Sequence, residues 1–295
     1  MIYLDRFTIP SEMAEFEILK FNRKISNTIY PLGIFSKKGL TQMNFEPVTL
    51  IYGGNGSGKT TLLNIIASYL ESSRKSIVKY GELFDAYVDN CRANMQNMDE
   101  CLATKFITSD DVFNYLLDIK AINTGVVREQ ERLVSEYTTY KYEKTSSDFS
   151  SALEQVDKIK DMIAARKGSA SKFVRARLKN EAIMQESNGE TALQFWQNEI
   201  GEKSLYLIDE PENSLSVTSQ LKLKQFIEES ARFYDCQFVI ATHSPILLSI
   251  EDSIVYDLDR EPARVRKWTS LENVRRYYDF FTAHAVEFDT DEEND

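Results

Sequence analysis

The residues best equipped for chemistry sit in one run, Val48-Thr49-Leu50-Ile51-Tyr52-Gly53-Gly54-Asn55-Gly56-Ser57-Gly58-Lys59-Thr60. Gly53, Gly58, Lys59 and Thr60 fill the spacing G-x-x-x-x-G-K-[ST], between an apolar β-branched strand and the helical run from Thr61 to Ala67. Glycines there let backbone N–H groups of Gly54, Asn55, Gly56 and Ser57 turn toward a polyphosphate, and the helix N-terminus at Thr60 and Thr61 adds a favourable dipole. Lys59 has the reach for the β- and γ-phosphates, and the Thr60 hydroxyl suits Mg²⁺. A chance glycine loop lacks this strand and helix context, so the run predicts nucleotide binding.

Two further spots carry matching chemistry. Leu205-Tyr206-Leu207-Ile208 is an apolar strand that ends in Asp209-Glu210-Pro211. Asp209 suits an outer hold on Mg²⁺, and Glu210 suits a general base that polarises the attacking water. Phe238-Val239-Ile240-Ala241 is a second apolar strand, ending at Thr242-His243-Ser244-Pro245. His243 can donate to a γ-phosphate and sense its loss. Taken singly, Asp-Glu-Pro reads equally well as a turn, and a histidine after a strand as a structural one. In this order after a phosphate loop they point to one site.

The elements that must position these residues are an alternation of apolar strands and amphipathic helices. That pattern predicts an α/β fold with a mostly parallel sheet, whose ligands sit beyond the carboxyl ends of the strands. Residues 1–45 read as β-rich, with Ile2-Tyr3-Leu4, an alternating Phe16–Phe21 and Gly33-Ile34-Phe35. Tyr30 and Phe35 are candidates for stacking on an adenine, against ordinary packing. Residues 72–103 read as loops with short helices. Lys105–Phe113 reads as a strand ending at a helix N-cap, followed by a helix with Val112, Tyr115, Leu116 and Ile119 on one face.

Residues from about 110 to 186 read as a helical insertion in a single domain spanning 1–285, its polar part beginning at Arg128. Lys167-Gly168-Ser169-Ala170-Ser171 reads as the turn of a hairpin. The second half is basic, and Lys172, Arg175 and Arg177 are its candidates for touching nucleic acid or an acidic partner; a solvated helix face is the plainer reading. Later come a helix over 191–200 closed by Gly201, one near 221–232, strands near 254–256 and 265–268, and a helix over 271–282. The acidic tail 286–295 is expected to be disordered.

Composition sets the class. The 295 residues carry 46 acidic and 35 basic side chains, a net charge of −11, which argues against bulk attraction to nucleic acid or an anionic membrane. The 3 cysteines lack metal-ligand spacing, and the N-terminus lacks an apolar leader. No stretch approaches the length of a membrane span. The expectation is a cytoplasmic protein.

Together the phosphate loop, Ser187-Asn188-Gly189-Glu190, Leu205–Glu212 and Thr242-His243-Ser244-Pro245 resemble the ABC-class ATPases. The likeness is to their soluble branch, which includes heads of chromosome-maintenance and DNA-repair ATPases and small bacterial predicted ATPases. It covers residues 48–67 and 187–248. The resemblance implies that Leu205–Glu212 is a Walker B segment, that residues 213–216 form a D-loop, and that ATP and Mg²⁺ are the ligands. It also implies a head-to-tail dimer, in which Ser187 and Gly189 contact the γ-phosphate held by the other subunit, and hydrolysis that lets the heads part. Two features depart from the pattern. The signature is Ser-Asn-Gly-Glu rather than Ser-Gly-Gly-Gln, and no glutamine marks the Q-loop, so Ser109 or Asp110 is the alternative Mg²⁺ or water ligand there. A protein partner or effector is expected, in a process such as phage defence or DNA maintenance. A nucleotide-gated scaffold with little turnover, a transporter's ATPase subunit and, more weakly, a P-loop kinase are the competing functions.

Overall fold

A computed structural model describes residues 1–22, 29–75, 81–142, 163, 169–178, 188–213 and 215–289. The chain divides into two compact units, Met1–Phe113 with Asn188–Asp295, and Asn114–Ser187.

The first unit is built on a six-stranded sheet. Its strands are β3 (Val48–Tyr52), β5 (Ala103–Thr108), β6 (Ser204–Asp209), β7 (Gln237–Ala241), β8 (Ile254–Asp257) and β9 (Arg264–Arg266), in the order β5-β6-β7-β3-β8-β9. All neighbours pair parallel except β8 and β9. Every residue of β3, β6 and β7 is buried, as expected of central strands covered on both faces. The apolar runs Leu205–Ile208 and Phe238–Ala241 are why the sequence reads there as core. The observed fold is α/β with a mostly parallel sheet, as the alternation predicts.

A second, antiparallel sheet holds β1 (Leu4–Thr8), β2 (Gln42–Asn44) and β4 (Arg92–Met95) in the order β2-β1-β4. Gln237 fastens it to the main sheet. Its buried side chain accepts from the N–H groups of Tyr3 and Leu4, both at 2.8 Å, and donates to the carbonyls of Leu4 and Glu46. All its hydrogen-bonding capacity is thereby used, as a buried amide requires.

Between β1 and β2 the expectation of strand fails. Phe16–Phe21 lies in helix α1 (Glu12–Asn22). Ser11 caps it by accepting from the Ala14 N–H, and Glu15 and Ile18 are buried while Phe16 and Phe21 are exposed. The inward spacing of three is helical. Glu15 then shapes the next loop by accepting from the Gly33 N–H and the Ser36 hydroxyl. Gly33-Ile34-Phe35 is in turns rather than a strand.

The phosphate-loop helix α2 (Lys59–Tyr69) is embedded in the core through Leu62, Leu63, Ile65, Ile66 and Ala67. The stretch read as loops holds α3 (Glu82–Asp89) and also β4, a strand the sequence reading did not separate. Helix α4 (Ser109–Tyr142) opens in the first unit, and its residues from Asn114 on belong to the second. Val112, Leu116 and Ile119 are buried and Tyr115 half-buried. In the second unit Leu133 and Tyr137 pack with Phe173 of α5 (Ala170–Arg175), whose N-cap is Ser169. Ala170 and Ser171 are therefore helical rather than part of a turn, because the Ser169 hydroxyl accepts from the Lys172 N–H. Lys167 and Gly168 lie outside the described residues.

Helices α6 (Asn188–Glu199), α7 (Val217–Phe233), α8 (Pro245–Leu248), α9 (Glu272–Ala283) and α10 (Ala285–Asp289) complete the chain. The tail is thus helical through Asp289, and residues 290–295 lie outside the described part. The 3₁₀ turn Trp268–Ser270 takes the place of the end of the strand expected near 265–268.

Candidate functional site

The phosphate loop joins β3 to α2, and its backbone geometry needs the glycines. Gly58 has φ of 103°, and a Cβ there would stand 2.8 Å from Ile34 Cγ2. At Gly53 an added Cβ would meet Ser57 Oγ at 2.3 Å. Neither position accepts another residue without moving the loop. The loop walls a cavity of 260 Å³, which is lined by Gly54 through Thr61, with Ile34 and Glu210.

Lys59 is buried across this cavity. Its Nζ donates to the Gly53 carbonyl at 2.8 Å and the Gly54 carbonyl at 3.2 Å, and lies 3.3 Å from Glu210 Oε1. Parallel pairing of β6 and β7 sets Asp209 beside Ala241, so both strand ends open on the same side as the loop. Glu210 adopts φ of 48°, unusual for a residue with a Cβ. Its N–H donates to the Ala241 carbonyl at 2.9 Å, and its Oε2 accepts from Asn213 Nδ2 at 3.1 Å. Strain at this glutamate coincides with a side chain aimed at Lys59.

Asp209 is buried close to the Thr60 hydroxyl. Burial pushes its carboxyl up to about 6, and the negative charges of Glu210 and Glu212 push the same way. The Thr60 hydroxyl and the Lys59 charge oppose the rise. Asp209 Oδ1 is buried with no hydrogen-bond partner, and so is Ser57 Oγ in the loop. An unpartnered carboxylate oxygen next to a threonine hydroxyl fits a hard divalent cation, and an unpartnered hydroxyl in a cradle of N–H groups fits a phosphate.

His243 follows β7. Its Nδ1 is 3.3 Å from Glu212 Oε1 and 3.9 Å from Glu210 Oε1. The structure therefore brings Lys59, Thr60, Asp209, Glu210 and His243 together around one loop. Ser109 and Asp110 open α4 one and two residues after Thr108, the register partner of Asp209. Their helix is capped by the buried Asp111, whose Oδ2 accepts from the Thr108 N–H and hydroxyl, both at 2.9 Å. Gly189 is in the first turn of α6, and Ser187 lies outside the described residues.

Several contributors escape sequence reading. Glu212 is buried and grips the loop that carries His243. Asp259 receives the Gly54 N–H on both carboxylate oxygens, at 2.8 and 2.9 Å, and Lys38 donates to the carbonyls of Ser57 and Leu258. These two tie the turn after β8 to the phosphate loop. The only advance signal is an acidic residue in Glu212, two places beyond Glu210. Phe35 is fully buried beneath Gly58, so it packs rather than faces the cavity. Tyr30 stacks on Phe84 at 5.9 Å and its hydroxyl donates to Thr61 Oγ1 at 3.1 Å.

Among the basic candidates, Lys172 is exposed, whereas the Arg177 guanidinium lies 3.8 Å over the Phe173 ring. The Arg175 side chain lies outside the described part.

A family model described as "ABC transporter" matches residues 41–213. The chain belongs to the ABC-class P-loop ATPases. A second model, described as "AAA domain, putative AbiEii toxin, Type IV TA system", matches residues 191–249. No curated protein matches it. Among solved structures, the SMC head domain from Thermotoga maritima is 13% identical with a TM-score of 0.42, covering 90% of this chain and 99% of that one. Stu0660 of Streptococcus thermophilus is 13% identical with a TM-score of 0.41, covering 89% and 76%. The Smc head domain derived from Pyrococcus furiosus is 12% identical with a TM-score of 0.38, covering 96% and 100%. No helix among the described residues is long and apolar enough to cross a membrane.

Proposed function

We propose that this chain binds ATP on the Gly53–Thr61 loop and hydrolyses it to ADP and phosphate. The observation that carries the reading is the convergence of Lys59, Thr60 and Glu210 on one cavity, with the buried Asp209 next to Thr60. Backbone N–H groups of the loop and the Lys59 ammonium hold the phosphates. Thr60 and Asp209 would hold Mg²⁺, which when bound supplies neutralisation of phosphate charge. Glu210 accepts the proton of the attacking water as Lys59 turns from it to the phosphates. His243 stands beside Glu210 to read whether the terminal phosphate is present.

Dimerisation belongs to the same proposal. Gly189 lies in the first turn of α6, and Ser187 and Gly189 would together cap a phosphate held by another subunit. Two chains would then enclose two ATP molecules head to tail and pass that state to a protein partner, in defence against phage or in DNA maintenance. Nucleic acid would meet the second unit at Lys172, Arg175 and Arg177. The cytoplasm is the compartment that suits such a switch. A second reading, a nucleotide-gated scaffold with little turnover, is favoured by the pairing of Glu210 with both Lys59 and Asn213.

The test is the solution molar mass of Glu210→Gln with and without Mg-ATP. The proposal predicts a shift from monomer to dimer that Ser187→Arg abolishes. An unchanged mass with ATP measurably bound would reject the sandwich.

A further inference from the structure

The structure assigns Glu212 as the positioning residue of His243. Glu212 sits in the turn that leaves β6, two residues beyond Glu210, and is only 7% exposed. One of its oxygens, Oε1, accepts three hydrogen bonds from the loop after β7. The donors are the Thr242 hydroxyl at 2.7 Å, the His243 N–H at 2.8 Å and the Ser244 N–H at 3.2 Å. The same oxygen lies 3.3 Å from His243 Nδ1, and Glu210 Oε1 approaches that nitrogen at 3.9 Å.

A carboxylate oxygen 3.3 Å from Nδ1 repels a lone pair on that nitrogen and attracts an N–H there, which favours the proton on Nδ1 and leaves Nε2 as the opposite edge. Glu212 thus does two things with one atom. It pins the backbone on which His243 rides, and its charge biases the ring's tautomer. The other end of the loop is held separately: the Ser244 hydroxyl donates to Gln220 Oε1 in α7 and caps α8 by accepting from the Ile246 and Leu247 N–H groups.

A loop anchor alone would need only the backbone donors. Placing a charged oxygen against Nδ1 costs more, since Glu212 Oε2 is buried with no hydrogen-bond partner. Because Glu212 leaves the same strand as Asp209 and Glu210, the histidine moves as one body with the carboxylates it must face. The catalytic consequence rests on the proposed ATP hydrolysis; the ring geometry does not.

The experiment uses the full chain and two readouts. Its 2 histidines, His243 and His284, allow imidazole ¹⁵N resonances to be assigned with a His284→Asn variant. The wild-type His243 ring is expected in the Nδ1–H form, with Glu212→Gln and Glu212→Ala drifting toward a tautomer mixture. Ring signals unchanged in both variants overturn the assignment, whether or not ATP is turned over. For activity, Glu212→Ala should lower kcat roughly ten- to a hundredfold with ATP affinity unchanged, and Glu212→Gln should restore part of it. The double variant Glu212→Ala/His243→Ala should fall no further than His243→Ala. Losses that multiply in the double variant, or an equal loss of ATP affinity, also overturn it. Absent turnover in the wild type with ATP bound rejects the hydrolysis reading alone.

Discussion

The two compact units of this chain differ in what their residues are asked to do. In the unit of Met1–Phe113 and Asn188–Asp295, strands β3, β6 and β7 are buried at every position, and the chemistry sits at their carboxyl ends. In Asn114–Ser187, Leu133, Tyr137 and Phe173 form one cluster with cations over its aromatic faces, and Leu116, Ile119 and Val126 are buried along α4. A site that must hold Lys59, Asp209 and Glu210 at fixed distances needs the rigid sheet.

The sharpest way to break this comparison is to hollow each core. Leu207→Ala, in the fully buried β6, should cost about 2–5 kcal/mol of global stability and weaken ATP binding with it. Phe173→Ala should speed hydrogen exchange in residues 114–178 while leaving the main melting transition and the nucleotide response in place. A single shared transition lowered by both variants would show that the units are not separable.

Next in size is the nucleotide itself. ATP at a hundredfold over its dissociation constant should stabilise the fold by about 2.7 kcal/mol, a melting shift of roughly 5–10 °C. Lys59→Ala should erase that shift, because the buried ammonium lines the loop's cavity. Thermal scans with and without Mg-ATP check it.

Asp209 predicts a stability traded for function. Burial raises its carboxyl from an ordinary 3.8 to about 6, so ionising it costs the fold up to about 3 kcal/mol. The folded state binds this proton more tightly than the unfolded chain does. The penalty is therefore absent below the unfolded value and complete above about 6. In Mg²⁺-free buffer near neutral pH, Asp209→Asn should be more stable than wild type. That gap should close as pH falls from 6 toward 4, and urea unfolding at a series of pH values would show it.

The smallest expected effect concerns the second unit. Reversing charge at Lys172, Arg175 and Arg177 should leave ATP turnover unchanged. If nucleic acid binds there, the reversal should remove the salt dependence of that binding. Arg177 should matter less than Lys172, because its guanidinium is already committed to the Phe173 ring.

What the sequence made legible follows from how local each signal is. The phosphate loop and both central strand ends are written in contiguous residues, so Gly53–Thr61, Asp209–Glu210 and His243 could be read before any fold was known. Phe-Glu-Ile-Leu-Lys-Phe at 16–21 fits a period of two as well as one of three to four, and only the Ser11 cap and the burial of Glu15 and Ile18 decide for helix. Glu212, Asp259 and Lys38 act on loops far away in the chain. Their role exists only once parallel pairing sets β6 against β7 and β3 against β8. Gln237 is similar: a polar residue in an apolar strand becomes a fastener only when Tyr3 and Leu4 arrive beside it.

The most direct test is phosphate release from Mg-ATP by the wild-type chain and by Glu210→Gln, with ATP affinity measured on both. Turnover by the wild type, with loss on the order of a hundredfold or more in Glu210→Gln at unchanged affinity, is the predicted result. Equal turnover in the two proteins, or none in the wild type with ATP bound, would contradict the assignment of Glu210 as the base of an ATPase.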